Sequence, residues 1–231
     1  MSKQITVYYA LQSPWTYLGW ARLRELVART GATAHYRPIQ SGPMFEASGT
    51  LPLAKRPKQR QAYRLMELRR WRDHLGVPLN LQPNYFPIDE SLAARMAIAH
   101  HRRGGGDIAA LSQALMAAVW AEERDLADRA TLLEIAREQG VDGPALLEAA
   151  QDQAVQSAYE ANTRMAIEQG VFGVPTFAIN DELFWGQDRL DSSLERWPET
   201  AGREPRDTSG VSWSGAVRCC ARRGSCPRPF P

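Results

Sequence analysis

One junction near the N-terminus constrains the fold more than any other stretch: ITVYYAL (residues 5–11) passes directly into QSPWTYLGW (residues 12–20). The first run is β-branched and aromatic with a short apolar centre, which predicts a buried strand. Pro14 suits the first turn of a helix. The junction therefore predicts a buried strand followed at once by a helix, with Ser13 and Thr16 where a redox protein would carry two cysteines.

The rest of the chain predicts a sheet interrupted by helices. ATAHYRPI at residues 32–39 predicts a second strand, and a strand–helix–strand unit implies a parallel pair joined by a right-handed crossover. From about residue 57 to residue 169 the apolar residues recur at helical spacing, which favours five or so helices. VFGVPTFAI and ELFW then predict two strands, and GQDRLDSSLERW (residues 186–197) predicts a closing helix.

This order predicts an α/β fold with a long helical insertion. Residues 1–57 and 170–197 are expected to form one module, and residues 58–169 an inserted helical domain. Residues 198–231 are rich in Gly, Pro, Ser and Arg and show no helical or strand period, so we expect a disordered tail. That tail contains all three cysteines: Cys219, Cys220 and Cys226. A disulfide framework is therefore excluded for the preceding part of the chain.

Charge and hydropathy exclude several function classes. The net charge is +2, and residues 198–231 hold six arginines against three acids, which leaves −1 for the rest and no nucleic-acid footprint. No apolar run reaches the roughly 18 to 20 residues that span a bilayer, and the N-terminus lacks a signal-peptide pattern, so we expect a cytoplasmic protein without membrane contact. His100 and His101 are adjacent and point in different directions on a helix, so no metal site is expected.

Ser13 matters through its position. A residue between a buried strand and the first helical turn faces unpaired backbone N–H groups and the positive end of the helix dipole, where an anion is stabilised. A serine there can donate a hydrogen bond to an anion that a ligand brings. The alternative is that Ser13 serves only as the helix N-cap. Trp15, its neighbour, is expected either to line such a pocket or to pack in the core.

Two later stretches are candidates for ligand contacts. Val174 precedes Pro175, and a cis bond there would present the backbone N–H and C=O of Val174 to a ligand. Gln187 and Asp188 follow Gly186 at a strand-to-helix turn, where they could hold a zwitterion. Each stretch also has a structural explanation, namely a proline at the start of a strand and a glycine turn with a helix cap.

Taken in order, Ser-Pro-aromatic-x-Tyr-Leu, Gly-Val-Pro-Thr-Phe and Phe-Trp-Gly-x-Asp-Arg-Leu resemble the 2-hydroxychromene-2-carboxylate isomerase family over residues 3–197. The resemblance implies a DsbA-like thioredoxin fold related to kappa-class glutathione transferases, glutathione as cofactor and a homodimer. It further implies that Ser13 activates the glutathione thiolate and that Val174 pairs with the peptide backbone. Gln187 and Asp188 would bind the γ-glutamyl end.

The same resemblance implies a reaction. The thiolate would add reversibly to a conjugated aromatic substrate and interconvert 2-hydroxychromene-2-carboxylate with trans-o-hydroxybenzylidenepyruvate, and Asn84 in PNYFP would lie near that substrate. Two alternatives stay open: a kappa-like glutathione transferase or peroxidase using the same site, and a non-enzymatic thioredoxin-like module that binds glutathione or a peptide across Val174.

One departure concerns the substrate carboxylate. Relatives often carry a lysine in the loop after the second strand, where this chain has Phe45 and Glu46. Arg37, Arg60 and Arg64 are the candidates to compensate for the missing lysine.

Overall fold

The computed structural model describes residues 4–104, 106–180 and 182–190. All of them belong to one compact unit. The predicted tail, residues 198–231 with the three cysteines, lies outside the described residues. The proposed division into a module and an inserted helical domain stays a prediction.

Four strands form a mixed sheet in the order β2-β1-β3-β4. The strands are β1 (Gln4–Tyr9), β2 (Thr33–Pro38), β3 (Thr176–Ile179) and β4 (Glu182–Trp185). β1 and β2 are parallel, with Val7 opposite Tyr36, whereas β3 is antiparallel to both β1 and β4. The predicted parallel pair and the predicted return of the chain to the sheet are confirmed.

Eight α-helices accompany the sheet in the described part of the chain. They are α1 (Pro14–Thr30), α2 (Ser41–Ser48), α3 (Lys58–Leu75), α4 (Ser91–Arg102), α5 (Ile108–Trp120), α6 (Arg129–Glu138), α7 (Gly143–Ala149) and α8 (Gln153–Glu168). Two 3₁₀ turns, Leu53–Lys55 and Gln187–Arg189, complete the list. None of these helices is long and apolar enough to cross a membrane.

The alternation of side chains along β1 builds two apolar clusters. Val7 and Tyr9 join the larger cluster, and Tyr8 and Ala10 join the smaller one, because successive strand residues point to opposite faces. The Tyr9 ring lies 4.8 Å from the ring of Trp20 on α1. The Trp20 indole N–H donates to the Ala109 carbonyl at 2.8 Å, which ties α1 to α5. The N-terminus of α1 is thereby held against the end of β1.

Three sequence predictions differ from the structure. The segment after β2 was expected to be a loop but forms α2, which buries Met44. β3 starts at Thr176 and not at Val171, because Pro175 has no N–H for a strand ladder and follows a cis bond. In the described part of the predicted closing helix, Gln187–Arg189 form only a 3₁₀ turn; residues 191–197 lie outside the described residues.

Candidate active site

Ser13 is the N-cap of α1 and is 8% exposed. Its Oγ accepts a hydrogen bond from the Thr16 N–H at 3.3 Å, and its hydroxyl lies 3.3 Å from the Val174 carbonyl oxygen as donor. Pro14 occupies the first helical position, and no described residue accepts from the Trp15 N–H. Ser13 is therefore both a cap and a hydroxyl beside an unpaired donor at the positive end of a 17-residue helix.

The loop before β3 lies opposite Ser13. This loop and the junction of β1 with α1 together form what we call the Ser13 corner. The Val174–Pro175 peptide bond is cis, as anticipated from the sequence. The Thr176 hydroxyl donates to the Gly173 carbonyl at 2.6 Å, and the Gly186 N–H donates to the Pro175 carbonyl at 2.9 Å. No described residue accepts from the Val174 N–H. The fold thus joins two residues that are 161 positions apart and leaves one backbone donor beside the Ser13 hydroxyl.

Thr16 is 1% exposed, and its hydroxyl has no hydrogen-bond partner within the described residues. It stands one helical turn after Ser13, where a thioredoxin-like redox protein would place its second cysteine. The corner keeps the spacing of a redox motif while offering two hydroxyls. In the part of the chain before residue 198 there is no cysteine to exchange a disulfide.

Gln187 and Asp188 have different surroundings. Gln187 is 2% exposed, and its Oε1 accepts from the guanidinium of Arg22 on α1 at 2.9 Å. Asp188 is 44% exposed at the side chain, with an Oδ2 that lies 3.6 Å from Arg189 Nε. In this structure Gln187 fastens the turn to α1, and Asp188 presents a carboxylate to solvent. Their role at a γ-glutamyl group stays a prediction.

The two residues predicted to face substrate are less enclosed. Trp15 is partly buried and packs against the larger apolar cluster. Asn84 is exposed, and its backbone N–H donates to the Glu123 carboxylate at 2.7 Å. Asn84 lies in the irregular segment between α3 and α4. A contact of either residue with substrate stays a prediction.

Glu90 was missed by the sequence analysis. Its carboxylate accepts from the Gln12 backbone N–H and from the Gln12 side-chain amide, both at 2.9 Å, and the residue is 4% exposed. Burial raises the pKa of Glu90 to about 7, against the lowering effect of these hydrogen bonds. Gln12 precedes Ser13, so Glu90 fixes the corner from a third side. A cavity of about 330 Å³ beside this contact is lined by Gln12, Gln40 and Glu90 among others.

The three candidate arginines are placed differently. Arg37, on β2, donates to Asn162 Oδ1 at 3.0 Å, so its guanidinium serves the contact between β2 and α8. Arg60 is exposed in the first turn of α3. Arg64, one turn further, lies over the rings of Phe86 and Trp120. Of the three, Arg64 alone is partly enclosed by aromatic side chains.

The fold and this corner define a thioredoxin-like protein in which hydroxyl side chains replace the redox cysteines. No group of three or more His, Cys, Asp or Glu residues suited to a metal ion occurs within the described ranges. The site can stabilise an anion and offer backbone donors to an extended ligand.

The chain belongs to the DsbA-like thioredoxin domain family, whose model matches residues 4–196, and within it to the 2-hydroxychromene-2-carboxylate isomerase family. It is 32% identical to 2-hydroxychromene-2-carboxylate isomerase of Sphingobium xenophagum over 192 residues, covering 83% of this chain and 96% of the relative. The isomerase of Pseudomonas putida is also 32% identical over 190 residues, covering 80% and 90%. The family resemblance inferred from the sequence is confirmed.

Solved structures agree with this assignment. A 2-hydroxychromene-2-carboxylate isomerase superimposes with a TM-score of 0.69 at 29% identity, over 84% of this chain and 95% of the other. The cytosolic disulfide reductase DsbM from Pseudomonas aeruginosa, solved with glutathione (GSH), has a TM-score of 0.60 at 20% identity, over 84% and 98%. The second similarity concerns the fold. The DsbA-like fold predicted from the sequence is confirmed.

Proposed function

We propose that this protein is a glutathione-dependent isomerase that interconverts 2-hydroxychromene-2-carboxylate and trans-o-hydroxybenzylidenepyruvate. The observation that carries the proposal is the Ser13 hydroxyl, placed between the N-terminus of α1 and the Val174 carbonyl in a region without cysteine. Relatives that cover most of this chain bear the name of this isomerase, which supports the reaction. A glutathione complex of a protein with the same fold supports the cofactor.

The donors of the corner fit a thiolate. Glutathione, when bound, supplies a thiolate nucleophile whose reversible addition turns a conjugated double bond into a single bond that can rotate, with no net redox change. The Trp15 N–H has no acceptor among the described residues. The Ser13 hydroxyl, now directed at the Val174 carbonyl, can turn toward an anion. Lowering a thiol pKa by two units requires only about 3 kcal/mol, which a helix N-terminus and one hydroxyl donor can provide.

The loop at Val174 fits a peptide backbone. Its N–H lacks an acceptor in the described part of the chain, and its carbonyl can accept a second hydrogen bond. An extended tripeptide would pair with both groups, as strands pair along a sheet edge. Asp188, with its exposed carboxylate, would receive the ammonium group of the γ-glutamyl end, and Gln187 would hold the turn in place through Arg22.

Trp15 and Asn84 would contact the aromatic substrate. Trp15 directly follows the helix cap and first helical residue, and its partly buried ring suits contact with a planar acid. The backbone of Asn84 is anchored by Glu123, which leaves the exposed amide side chain available for a hydrogen bond. The proposal includes a homodimer in the cytoplasm, as the family resemblance implies; light scattering tests the dimer.

The test is the conversion of 2-hydroxychromene-2-carboxylate, with and without glutathione. Wild-type protein should be active only with glutathione, and Ser13→Ala should lower kcat/KM by roughly a hundredfold because one donor to the developing anion is lost. The ultraviolet absorbance of the bound thiolate should titrate at a higher pH in this variant. Ser48→Ala, at the exposed end of α2, is the matched control and should change neither quantity. Turnover without glutathione, or an unchanged thiol pKa in Ser13→Ala, would refute the proposal.

A further inference from the structure

Arg64 on α3 is a partly enclosed cation without an anionic partner. Its guanidinium carbon lies 5.3 Å from the ring centre of Phe86 and 6.0 Å from that of Trp120. No described carboxylate or carbonyl accepts a hydrogen bond from it. Burial, with a smaller contribution from the nearby charge of Arg56, lowers the pKa of Arg64 to about 10. Buried charges are almost always paired, whereas Arg64 has no counterion among the described residues.

Arg124 is an enclosed arginine that does have acidic partners. Its side chain is 20% exposed, and its guanidinium pairs with Glu122, Glu134 and Glu138 at 2.9 to 3.4 Å. The carboxylates of Glu138 and Glu122 raise the pKa of Arg124. The two arginines therefore differ in the direction of the pKa shift, because Arg124 has acids around it and Arg64 has aromatic rings and another arginine.

Arg56 repeats the arrangement at the start of the same segment. Its guanidinium carbon lies 6.0 Å from the ring centre of Phe45, and its Nε donates to the Leu51 carbonyl at 2.7 Å. Burial and the charge of Arg60 lower the pKa of Arg56. No described acid pairs with Arg56. Two guanidinium groups on aromatic rings thus stand close enough to repel each other electrostatically.

The aromatic partners connect these arginines to the Ser13 corner. Phe45 packs against the cluster that contains Val174. Phe86 lies in the segment between α3 and α4, which is tied to α1 at one end and to the residue before the Ser13 cap at the other: Tyr17 on α1 donates to the Pro78 carbonyl at 2.9 Å, and Gln12 binds Glu90. The two arginine–aromatic pairs therefore stand on two elements that each contact the corner.

A second unpaired donor lies beside Arg64. The indole N–H of Trp120 is fully buried and has no acceptor in the described part of the chain. A planar guanidinium fork matches the two oxygens of a carboxylate, and neighbouring aromatic faces suit a planar ring. A small aromatic acid would supply the missing negative charge and a ring that can pack on Phe86, which is only partly buried, whereas Trp120 is fully buried.

We infer that Arg64, assisted by Arg56, binds the carboxylate of a planar aromatic acid and so selects the substrate that reaches Ser13. This inference rests on the proposed function, because it assigns a substrate contact to the same site. Arg64 would thereby bind the substrate carboxylate. The family resemblance gives this role to a lysine in the segment after β2, where this chain has Phe45 and Glu46.

Calorimetric titration tests the inference without turnover. The probes are chromone-2-carboxylate, which does not react, its neutral amide chromone-2-carboxamide, and glutathione. Wild-type protein should bind the carboxylate, and Arg64→Gln should weaken that binding about ten- to hundredfold, the range for a charge-assisted hydrogen-bonded pair. The amide should bind both proteins equally. Arg69→Gln, which removes an exposed arginine from the same helix, is the matched control and should bind like wild type.

Further variants make each outcome decisive. Arg64→Lys should recover only part of the affinity because a lysine lacks the planar fork, and Arg56→Gln should weaken binding about threefold. Thermal unfolding should show Arg64→Gln as stable as wild type. Equal carboxylate affinity in Arg64→Gln and wild type overturns the inference, and so does loss of glutathione affinity with unchanged carboxylate affinity, which would make the tripeptide the source of the carboxylate. Carboxylate binding without glutathione-dependent turnover would instead refute the proposed function alone.

Discussion

The Ser13 corner and the arginine pair formed by Arg56 and Arg64 differ in how their polar groups are used. At the corner, Ser13, Gln12 and Gln187 are each tied to a distant segment, through Val174, Glu90 and Arg22. The groups there without a partner among the described residues are the backbone N–H groups of Trp15 and Val174 and the buried Thr16 hydroxyl. Around Arg64 and Arg56 the guanidinium groups themselves lack an acid among the described residues.

This difference indicates that the two regions have different functions. The Ser13 corner is rigid, because its side chains form hydrogen bonds to other parts of the protein and its unpaired groups are short. The arginines are long side chains whose charge is left for a ligand, so they can discriminate between ligands. We expect changes at the corner to affect the reaction or the fold, and changes at the arginines to affect the choice of substrate.

The largest effect is expected from restoring the redox motif. Ser13→Cys combined with Thr16→Cys places thiols one turn apart at a helix N-terminus, where a cysteine pKa is lowered. This variant should reduce insulin disulfides, which the wild-type protein should not do. Isomerase activity should fall by roughly a thousandfold, because the hydroxyl donor is lost and the new thiolate exchanges with oxidised glutathione to give a protein–glutathione mixed disulfide and one released glutathione thiol.

Thr16→Cys alone is the control for that variant. It leaves the Ser13 hydroxyl in place and offers only one buried thiol, so isomerase activity should persist and insulin reduction should be absent. If the double variant keeps full isomerase activity, the corner does not act through the Ser13 hydroxyl.

The second effect concerns Glu90 and pH. Because burial raises its folded-state pKa to about 7 from a usual 4.5, folding takes up a proton between these values. The stabilisation is fully present below about pH 4.5 and is lost as the pH rises through 7, a change of about 3 kcal/mol. Glu90→Gln should abolish this pH dependence. The free energies of unfolding of wild type and variant, measured in urea, should therefore diverge as the pH rises from about 4.5 to about 7.

Glu25→Gln, an exposed change on α1, should leave the pH profile of wild type unaltered. Parallel profiles for wild type and Glu90→Gln would show that Glu90 is not the group that titrates. The amide of Gln12 can turn over to pair with the new glutamine, so the variant keeps a hydrogen bond at this position.

A smaller effect is expected where α1 meets the turn of Gln187. A Cβ added to Gly19 would lie 2.7 Å from the Gln187 Cβ, which is closer than such atoms pack. Gly19→Ala should therefore destabilise the protein by about 1 to 3 kcal/mol and weaken glutathione binding, because the turn must move. Gly42→Ala, in α2 with nothing within 4 Å, should be neutral or stabilising. An unfolding midpoint of Gly19→Ala equal to that of wild type would show that the turn containing Gln187 can move without a loss of stability.

The sequence predicted what local chemistry determines. The strand ITVYYAL and the cap at Ser13 follow from side-chain type and backbone restriction over a few residues. A cis bond before Pro175 was only one possibility for a proline at the start of a strand. The sequence did not predict the contact between Gln12 and Glu90, which joins residues 78 positions apart and depends on how α4 packs. The Asp-Glu-Ser run before α4 is typical of any helix start, so it carried no signal of that contact.

The arginines illustrate the same limit. Arg37, Arg60 and Arg64 were equivalent candidates in the sequence, because an arginine on a helix or strand usually faces solvent. The structure separates them by what lies beside each guanidinium: Asn162 for Arg37, solvent for Arg60 and two aromatic rings for Arg64. These neighbours come from segments far apart in the chain, so only the folded arrangement reveals which guanidinium group lies on aromatic rings.

The smallest effect distinguishes the two regions by salt. The arginines hold a ligand charge near the surface, and added salt screens such attractions beyond a Debye length of about 8 Å at physiological ionic strength. Raising the salt concentration from low to physiological should weaken binding of chromone-2-carboxylate roughly twofold. The pKa of the glutathione thiol bound beside Ser13 should shift less with salt, because Ser13 is buried and the donors around it are within hydrogen-bond distance. Equal salt sensitivity of the two measurements would show that the corner is as open to solvent as the arginine pair.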